Sequence, residues 1–278
     1  MTGISLNKII TTGADGMAGS YVDFGIKTGR RQLDVTNLEQ VVKFVKNYSP
    51  KAIIHLAAET NVDLCEQKPE RAYLINSIGA YNVAMASKMV GSKLIYVSTN
   101  AVFNGDKKSA YIETDQPDPQ SIYGRSKYIG ELVISSLLKD YIIIRTCWLF
   151  GGGLARDHKF VTKIIQQLKN LEIKAINDQY GSPTFCKDLV TVIKRLIEDD
   201  ERGLFHVVNG GSCSRYDIAR EIVAHFKSSA KIIPVSSSFF GTNKLVIANG
   251  SLTSSKVIGM RTWQEALREY LETEWTKQ

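Results

Sequence analysis

The sequence predicts an α/β protein: a doubly wound parallel sheet with helices on both faces, followed by a smaller C-terminal lobe. Three observations lead there. Short β-rich apolar runs alternate with helical spacings through the first 150 residues, the pattern of βαβ units and so of a parallel sheet. A glycine-rich turn directly follows the first run. Beyond Gly151 the alternation loosens, which divides the chain into 1–150 and 151–278, the second part interleaving with the first.

Lys8–Thr12 is a short β-rich run ending at Gly13 and suits a buried first strand. Leu38–Tyr48 carries helical apolar spacing and stops at Ser49-Pro50. Ala52–Leu56 reads as the next buried strand, and Pro69–Val90 as one long helix ending near Gly91. Lys93–Ser98, Gln120–Leu138 and Tyr141–Arg145 then give strand, helix and strand. In the second part, helices are predicted at Lys159–Lys169, Asp188–Ile197, Tyr216–Phe226 and Thr262–Leu271. Short strands are predicted at Phe205–Val208 and Lys231–Val235.

Of the 278 residues, 44% are hydrophobic and 23% charged, an ordinary globular composition that sets aside disorder and fibres. The net charge of +7 is modest, and Lys and Arg are scattered without aromatic interleaving, so nucleic acid is not expected as a partner. Cys65, Cys147, Cys186 and Cys213 lie far apart with no metal-ligand spacing, so reduced thiols and no metal are expected. The polar Met1–Asn7 stretch resembles no signal peptide, and no apolar run reaches 18 residues. The expectation is a cytoplasmic protein with no membrane partner.

Gly13-Ala14-Asp15-Gly16-Met17-Ala18-Gly19 stands between the first strand and a predicted helix. Glycine permits a sharp strand-to-helix turn and lets backbone N–H groups approach a pyrophosphate at the helix N-terminus. That is the Rossmann-type arrangement, with Gly13, Asp15, Gly16, Met17 and Gly19 as candidate cofactor residues. Only fourteen residues separate Gly19 from Asp34, so the segment between must be curtailed. Arg30 and Arg31 suit the 2′-phosphate of NADPH, which leans the cofactor from NAD towards NADP; surface solvation explains them equally well.

Tyr123-Gly124-Arg125-Ser126-Lys127 places a phenol and an ammonium one helical turn apart. The ammonium is expected to lower the phenol's pKa, so that it donates a proton to a carbonyl while nicotinamide delivers hydride. Thr99 lies at the end of the preceding strand, at the carboxyl edge where such sheets bind ligands.

These residues give the chain a resemblance to the dTDP-4-dehydrorhamnose reductase family of extended short-chain dehydrogenases, from about Lys8 to Leu271. The likeness also rests on Leu33–Thr36, Leu56–Asp63, Ile75-Asn76, Arg145–Trp148 and Ile176–Thr184. It implies an NAD(P)H-dependent oxidoreductase that reduces a 4-keto group on a nucleotide-diphosphate deoxysugar. Thr99 would bond the substrate carbonyl, Tyr123 would be the acid, and Lys127 would hold the nicotinamide ribose. Asp34 and Val35 would border the adenine, while Leu56, Ala57, Ala58 and Thr60 line the cofactor cleft. Val62 and Trp148 would face the sugar nucleotide, with Asn100 beside them; Asn76 would tie a helix to the active-site backbone. The family, with the general commonness of two-fold pairs, gives a homodimer as the expectation.

Three departures stand out. Where the family reads S-T-D-Y-V-F, this chain has Ser98-Thr99-Asn100-Ala101-Val102-Phe103. Where it carries N-F near the nucleotide, this chain has Lys159-Phe160 after His158, cations suited to a diphosphate. An arginine expected in the C-terminal stretch is replaced by Ile247-Ala248-Asn249-Gly250-Ser251-Leu252. Two alternatives follow from the same resemblance. A nucleotide-sugar epimerase shares the Tyr/Lys pair, whereas a dehydratase lacks its acidic pair here. A non-catalytic NADP-binding subunit, like the β-subunit of methionine adenosyltransferase, would bind cofactor without turnover.

Overall fold

The computed structural model describes residues 4–241 and 247–275. The first three residues of the polar N-terminal stretch lie outside the described residues. The strands are β1 (Ile9–Thr12), β2 (Ile26–Thr28), β3 (Ala52–His55), β4 (Lys93–Thr99), β5 (Tyr141–Thr146), β6 (Leu149–Phe150), β7 (Glu172–Ile176), β8 (Tyr180–Gly181), β9 (Thr184–Phe185), β10 (Gly203–His206), β11 (Cys213–Ser214) and β12 (Lys231–Val235). The helices are α1 (Leu38–Tyr48), α2 (Val62–Gln67), α3 (Pro69–Tyr73), α4 (Gly79–Val90), α5 (Ile122–Leu137), α6 (Gly153–Arg156), α7 (Phe160–Ile165), α8 (Cys186–Glu198), α9 (Arg215–His225) and α10 (Trp263–Glu274).

The main sheet runs β2-β1-β3-β4-β5-β10, and every neighbouring pair is parallel. From β1 the chain steps outward to β2, then returns to the other side of β1 as β3. The strand order reverses there, and in open α/β sheets the crevice at such a point takes the ligand. The expected doubly wound, Rossmann-type sheet is present.

Alternating side chains along the strands feed two separate cores. Ile53, Leu94, Tyr96 and Ile143 pack with Val41, Val45, Val83 and Ile134 of α1, α4 and α5. On the opposite face Ile54, Ile95, Ile142 and Ile144 meet Leu189, Ile193 and Ile197, all from α8. Those three recur every four residues, the stripe of an amphipathic helix. The face that the curtailed β1–β2 connection leaves bare is thus covered by a helix from the second half of the chain, and β10 extends the sheet from the same half. The remaining elements form a third core, in which Ile173 and Ala175 of β7 pack with Ile218 and Ile222 of α9 and Leu267 of α10.

Two expectations are corrected. The glycine turn leads into a four-residue 3-10 turn, Ala18–Tyr21, and not into an α-helix; Val22 already turns extended because β2 must begin at Ile26. The long helix expected over Pro69–Val90 is interrupted by a π turn at Leu74–Ile78, whose extra residue brings Asn76 inward, buried to 1%.

Leu189 is fully buried between α8 and the sheet. Leu189→Ala is expected to cost about 2–5 kcal/mol of stability, read from the urea midpoint at unchanged slope. A loss within about 0.5 kcal/mol, the size of an ordinary surface substitution, would mean that α8 does not carry that face.

Candidate active site

The crevice at the reversal point is formed where two backbones nearly touch. Gly13 has φ +68°, and a Cβ there would lie 2.5 Å from the Ala57 nitrogen, so only glycine lets the turn after β1 lie against the segment after β3. Gly19 packs just as tightly on the Ala14 backbone. Gly16 is different: a Cβ on it would meet nothing nearer than the Gly13 oxygen at 3.4 Å. Packing within the protein does not require that glycine, and the opening suits close approach by a ligand. The N–H groups of Ala14 and Gly16 bond to Thr28 and Gly13 at 3.0 and 3.2 Å, whereas those of Asp15 and Met17 have no partner among the described residues. The turn therefore fits a pyrophosphate through backbone N–H donors alone, since a four-residue 3-10 turn supplies little helix dipole.

Asp15, Arg30 and Asp34 line one concavity with Arg31 and Gln32. The Asp34 carboxylate accepts from the Thr36 nitrogen at 3.0 Å and its hydroxyl at 2.8 Å. Those bonds and the nearby Arg30 hold it below the usual carboxylate range. Val35 is buried against Gly79, and its carbonyl accepts from the Asn82 amide at 2.9 Å. Leu56, Ala57 and Ala58 are half-buried at the end of β3, and Thr60 is exposed beyond them.

Tyr123 and Lys127 sit on the first turns of α5, whose start is fixed by Ser121 accepting from the Gly124 nitrogen at 3.0 Å. A Cβ on Gly124 would strike the Ala101 oxygen; glycine there lets α5 lie on the turn after Thr99. The Tyr123 phenol faces the Thr99 hydroxyl closely enough to feel it. The Thr99 Oγ1 also accepts from the Ala101 nitrogen at 3.1 Å. Tyr123 and Thr99 are thus neighbours at the carboxyl end of β4, with Lys127 one turn further along α5.

The expected lowering of the phenol is not found. Burial pushes Tyr123 up to about 12, with the nearby Thr99 hydroxyl opposing. The Lys127 Nζ lies 4.0 Å from the centre of the Tyr96 ring. Burial lowers that amine to about 7, against the pull of Glu131. The phenol is held protonated, as a proton donor requires.

Glu131, one further turn along α5, is a residue that the sequence reading passed over. Its carboxylate accepts from the Ser98 hydroxyl at 2.5 Å and from Arg145 Nη2 at 2.7 Å. Glu131 and Arg145 are both almost wholly buried. The Tyr-x-x-x-Lys spacing continued by four points to it, because positions 123, 127 and 131 share a face. Asn76 acts as expected: its amide accepts from the Glu59 nitrogen at 2.8 Å and donates to the Glu59 carbonyl at 3.1 Å and the Ser126 hydroxyl at 3.0 Å.

The predicted substrate residues separate. Val62 opens α2 and is exposed. Trp148 follows β5 with φ +44°, its indole pressed on Gly181 and under the Arg215 guanidinium, 3.8 Å from the ring centre. Asn100 is instead a tether: 7% exposed, it donates to the Gly250 carbonyl at 3.0 Å and its Oδ1 receives the Thr99 hydroxyl at 3.3 Å. The two departures at 100 and 247–252 are therefore in contact with each other. Lys159 reaches the Thr60 carbonyl and hydroxyl at 3.4 Å. Among the described residues no group of His, Cys, Asp and Glu gathers as a metal site, and no helix is long and apolar enough to cross a membrane.

A family model described as RmlD substrate binding domain matches residues 7–275. The chain is 35% identical to the spore coat polysaccharide biosynthesis protein SpsK of Bacillus subtilis, over 96% of this chain and 98% of that protein. It is 30% identical to the dTDP-4-dehydrorhamnose reductase of Mycobacterium tuberculosis H37Rv, over 94% and 91%. The crystal structure of dTDP-4-dehydrorhamnose reductase from Bacillus anthracis in complex with NADP superposes with a TM-score of 0.90 at 37% identity, covering 95% and 98%. The UDP-glucose 4-epimerase of Thermus thermophilus, at 18% identity and a TM-score of 0.80, shares the fold.

Unfolding returns the Lys127 amine from about 7 to its ordinary 10.5. Between those values the unfolded chain holds more protons, so the native state gains stability as pH rises. Lys127→Met should therefore show its greatest advantage in thermal midpoint over wild type below about pH 7, narrowing towards about pH 10. A difference that stays constant across that range would contradict a desolvated ammonium.

Proposed function

We propose that this chain, which belongs to the RmlD substrate-binding domain family, is an NADPH-dependent reductase of a 4-keto group on a nucleotide-diphosphate deoxysugar, with dTDP-4-dehydrorhamnose as the first substrate to test. The observation that carries this reading is the Tyr123 phenol facing Thr99, with Lys127 one turn along the same helix, at the carboxyl edge of the sheet and next to a glycine turn with free N–H groups.

The turn at Gly13–Gly19 would hold the cofactor pyrophosphate, and Arg30 beside Asp34 favours the 2′-phosphate of NADP. A nicotinamide cofactor supplies hydride to the keto carbon. Tyr123 gives its proton to the substrate oxygen, and Thr99 bonds that oxygen and orients it. Burial keeps the phenol protonated until then. In its protonated form, which the Glu131 carboxylate one turn away favours, Lys127 supplies the positive charge that stabilises the phenolate left behind. Residues 151–278, with Trp148 at their entrance, would close over the sugar nucleotide.

The epimerase alternative rests on the shared fold and on the Tyr/Lys pair, which epimerases and reductases have in common. The non-catalytic alternative predicts cofactor binding with no turnover, although the chain retains all three catalytic side chains. The test is NADPH and NADH oxidation with a panel of 4-keto-6-deoxy nucleotide sugars. Turnover of dTDP-4-dehydrorhamnose is expected, and Tyr123→Phe should lower kcat by about 10²–10⁴-fold with NADPH affinity retained. Cofactor binding with no substrate of the panel reduced would favour the binding module.

A further inference from the structure

Arg215 opens α9, and its backbone is fixed by a capping box in which Ser214 and Asp217 bond each other's main-chain N–H groups. Its guanidinium carbon lies 3.8 Å from the centre of the Trp148 ring and 4.9 Å from that of Phe160. Stacking of this kind uses the flat faces of the guanidinium and leaves its five N–H donors at the rim. Among the described residues no carboxylate lies within ion-pair distance of it: the salt bridges all join other groups. The neighbouring acid, Asp217, accepts from the Ser214 nitrogen and hydroxyl at 2.9 and 2.6 Å and is engaged there.

A half-buried cation without a counterion is costly for the fold to keep. Burial lowers the Arg215 guanidinium to about 10, so it still carries its charge at neutral pH. A second cation adds to it: Lys159 lies close enough for the two charges to repel, and burial lowers its amine. Lys159 also touches Thr60, which follows β3 on the cleft side. The pair thus spans from the end of β5 to the end of β3. The first diphosphate site, at the turn after β1, is elsewhere. Three strand spacings of about 4.8 Å separate β1 from β5, so the two sites do not compete for one group.

We propose that Arg215, seconded by Lys159, binds the diphosphate of the sugar-nucleotide substrate, a role that the C-terminal stretch, with no arginine over residues 247–252, leaves open. The inference rests on the reductase reading above, because that reading supplies a second nucleoside diphosphate. Trp148 and Phe160 then act as the rails that aim the guanidinium.

The test uses the NADPH-loaded protein and calorimetric titration with dTDP and with thymidine, which lacks the phosphates. Arg215→Met keeps a long apolar stem against the rings and removes the charge. It should weaken dTDP binding by about 10–150-fold, the range of one charge-assisted hydrogen bond, and leave thymidine and NADPH affinities unchanged. Arg215→Lys should recover part of the loss, and wild-type dTDP affinity should fall with salt more steeply than that of Arg215→Met. If Arg215→Met binds dTDP as wild type does, or loses thymidine and dTDP in the same proportion, Arg215 only fills space between two rings. That result leaves the reductase standing. A wild-type protein that binds NADPH but no nucleoside diphosphate (dTDP, UDP or GDP) overturns the reductase reading together with this one.

Discussion

Arg145 and Glu131 meet inside the protein with 3% and 5% of their side chains exposed, and the geometry of the site depends on that contact. Glu131 comes from α5, Arg145 from β5, and the Ser98 hydroxyl of β4 joins the same carboxylate. One ion pair therefore fastens the helix bearing Tyr123 and Lys127 to the two strands whose ends bear Thr99 and Trp148. A buried pair of this kind adds little stability over an apolar one, yet losing either member leaves an uncompensated charge, at a cost of about 3–5 kcal/mol. Its contribution is placement. Arg145 also lies 5.1 Å over the Phe103 ring, which stacks on Tyr111 at 4.1 Å. Tyr111 in turn pairs with Leu252, so the restraint reaches the stretch that contacts Asn100.

The same burial sets the electrostatics. Lys127 is charged only at the expense of leaving water, and its nearest compensation is the Tyr96 ring with Glu131 beyond it. His55, buried against Tyr96 and hydrogen-bonded to Thr12 at 2.7 Å, is lowered to about 3 by burial and by Lys127. It stays neutral and adds no second positive charge. The site holds a protonated phenol, suited to giving a proton away, beside an amine that burial brings to about 7.

Much of this was legible from residue types and spacing. Ala52–His55, Lys93–Thr99 and Tyr141–Thr146 announce themselves because a strand buried on both faces needs an unbroken apolar run. Tyr123 and Lys127 follow from helical geometry and from the strand end before them. What stayed hidden depends on contacts between distant parts of the chain. The apolar stripe of α8 declares a helix but not which surface it covers. Arg215 reads as one more surface cation until Trp148 and Phe160, 67 and 55 residues earlier, are seen to hold it. Asn100 looks like a pocket residue from its position beside Thr99, and only the return of Gly250 shows that its amide is engaged. The π turn at Leu74–Ile78 has no local signal, since every residue in it suits an ordinary helix.

The origin of α8 also has a consequence for biosynthesis. A ribosome finishes β5 about 40 residues before it begins α8, an interval of about 2–8 s at about 5–20 residues per second. Through that interval the nascent sheet shows Ile54, Ile95, Ile142 and Ile144 without the helix that covers most of them, with only residues such as Met17, Tyr21 and Phe24 packed against that core. Such a surface is what chaperones capture and what neighbouring nascent chains stick to. The polypeptide becomes safe from self-association late, when its second half arrives to complete the first, and translation speed between Thr146 and Glu198 bears directly on the yield of native protein.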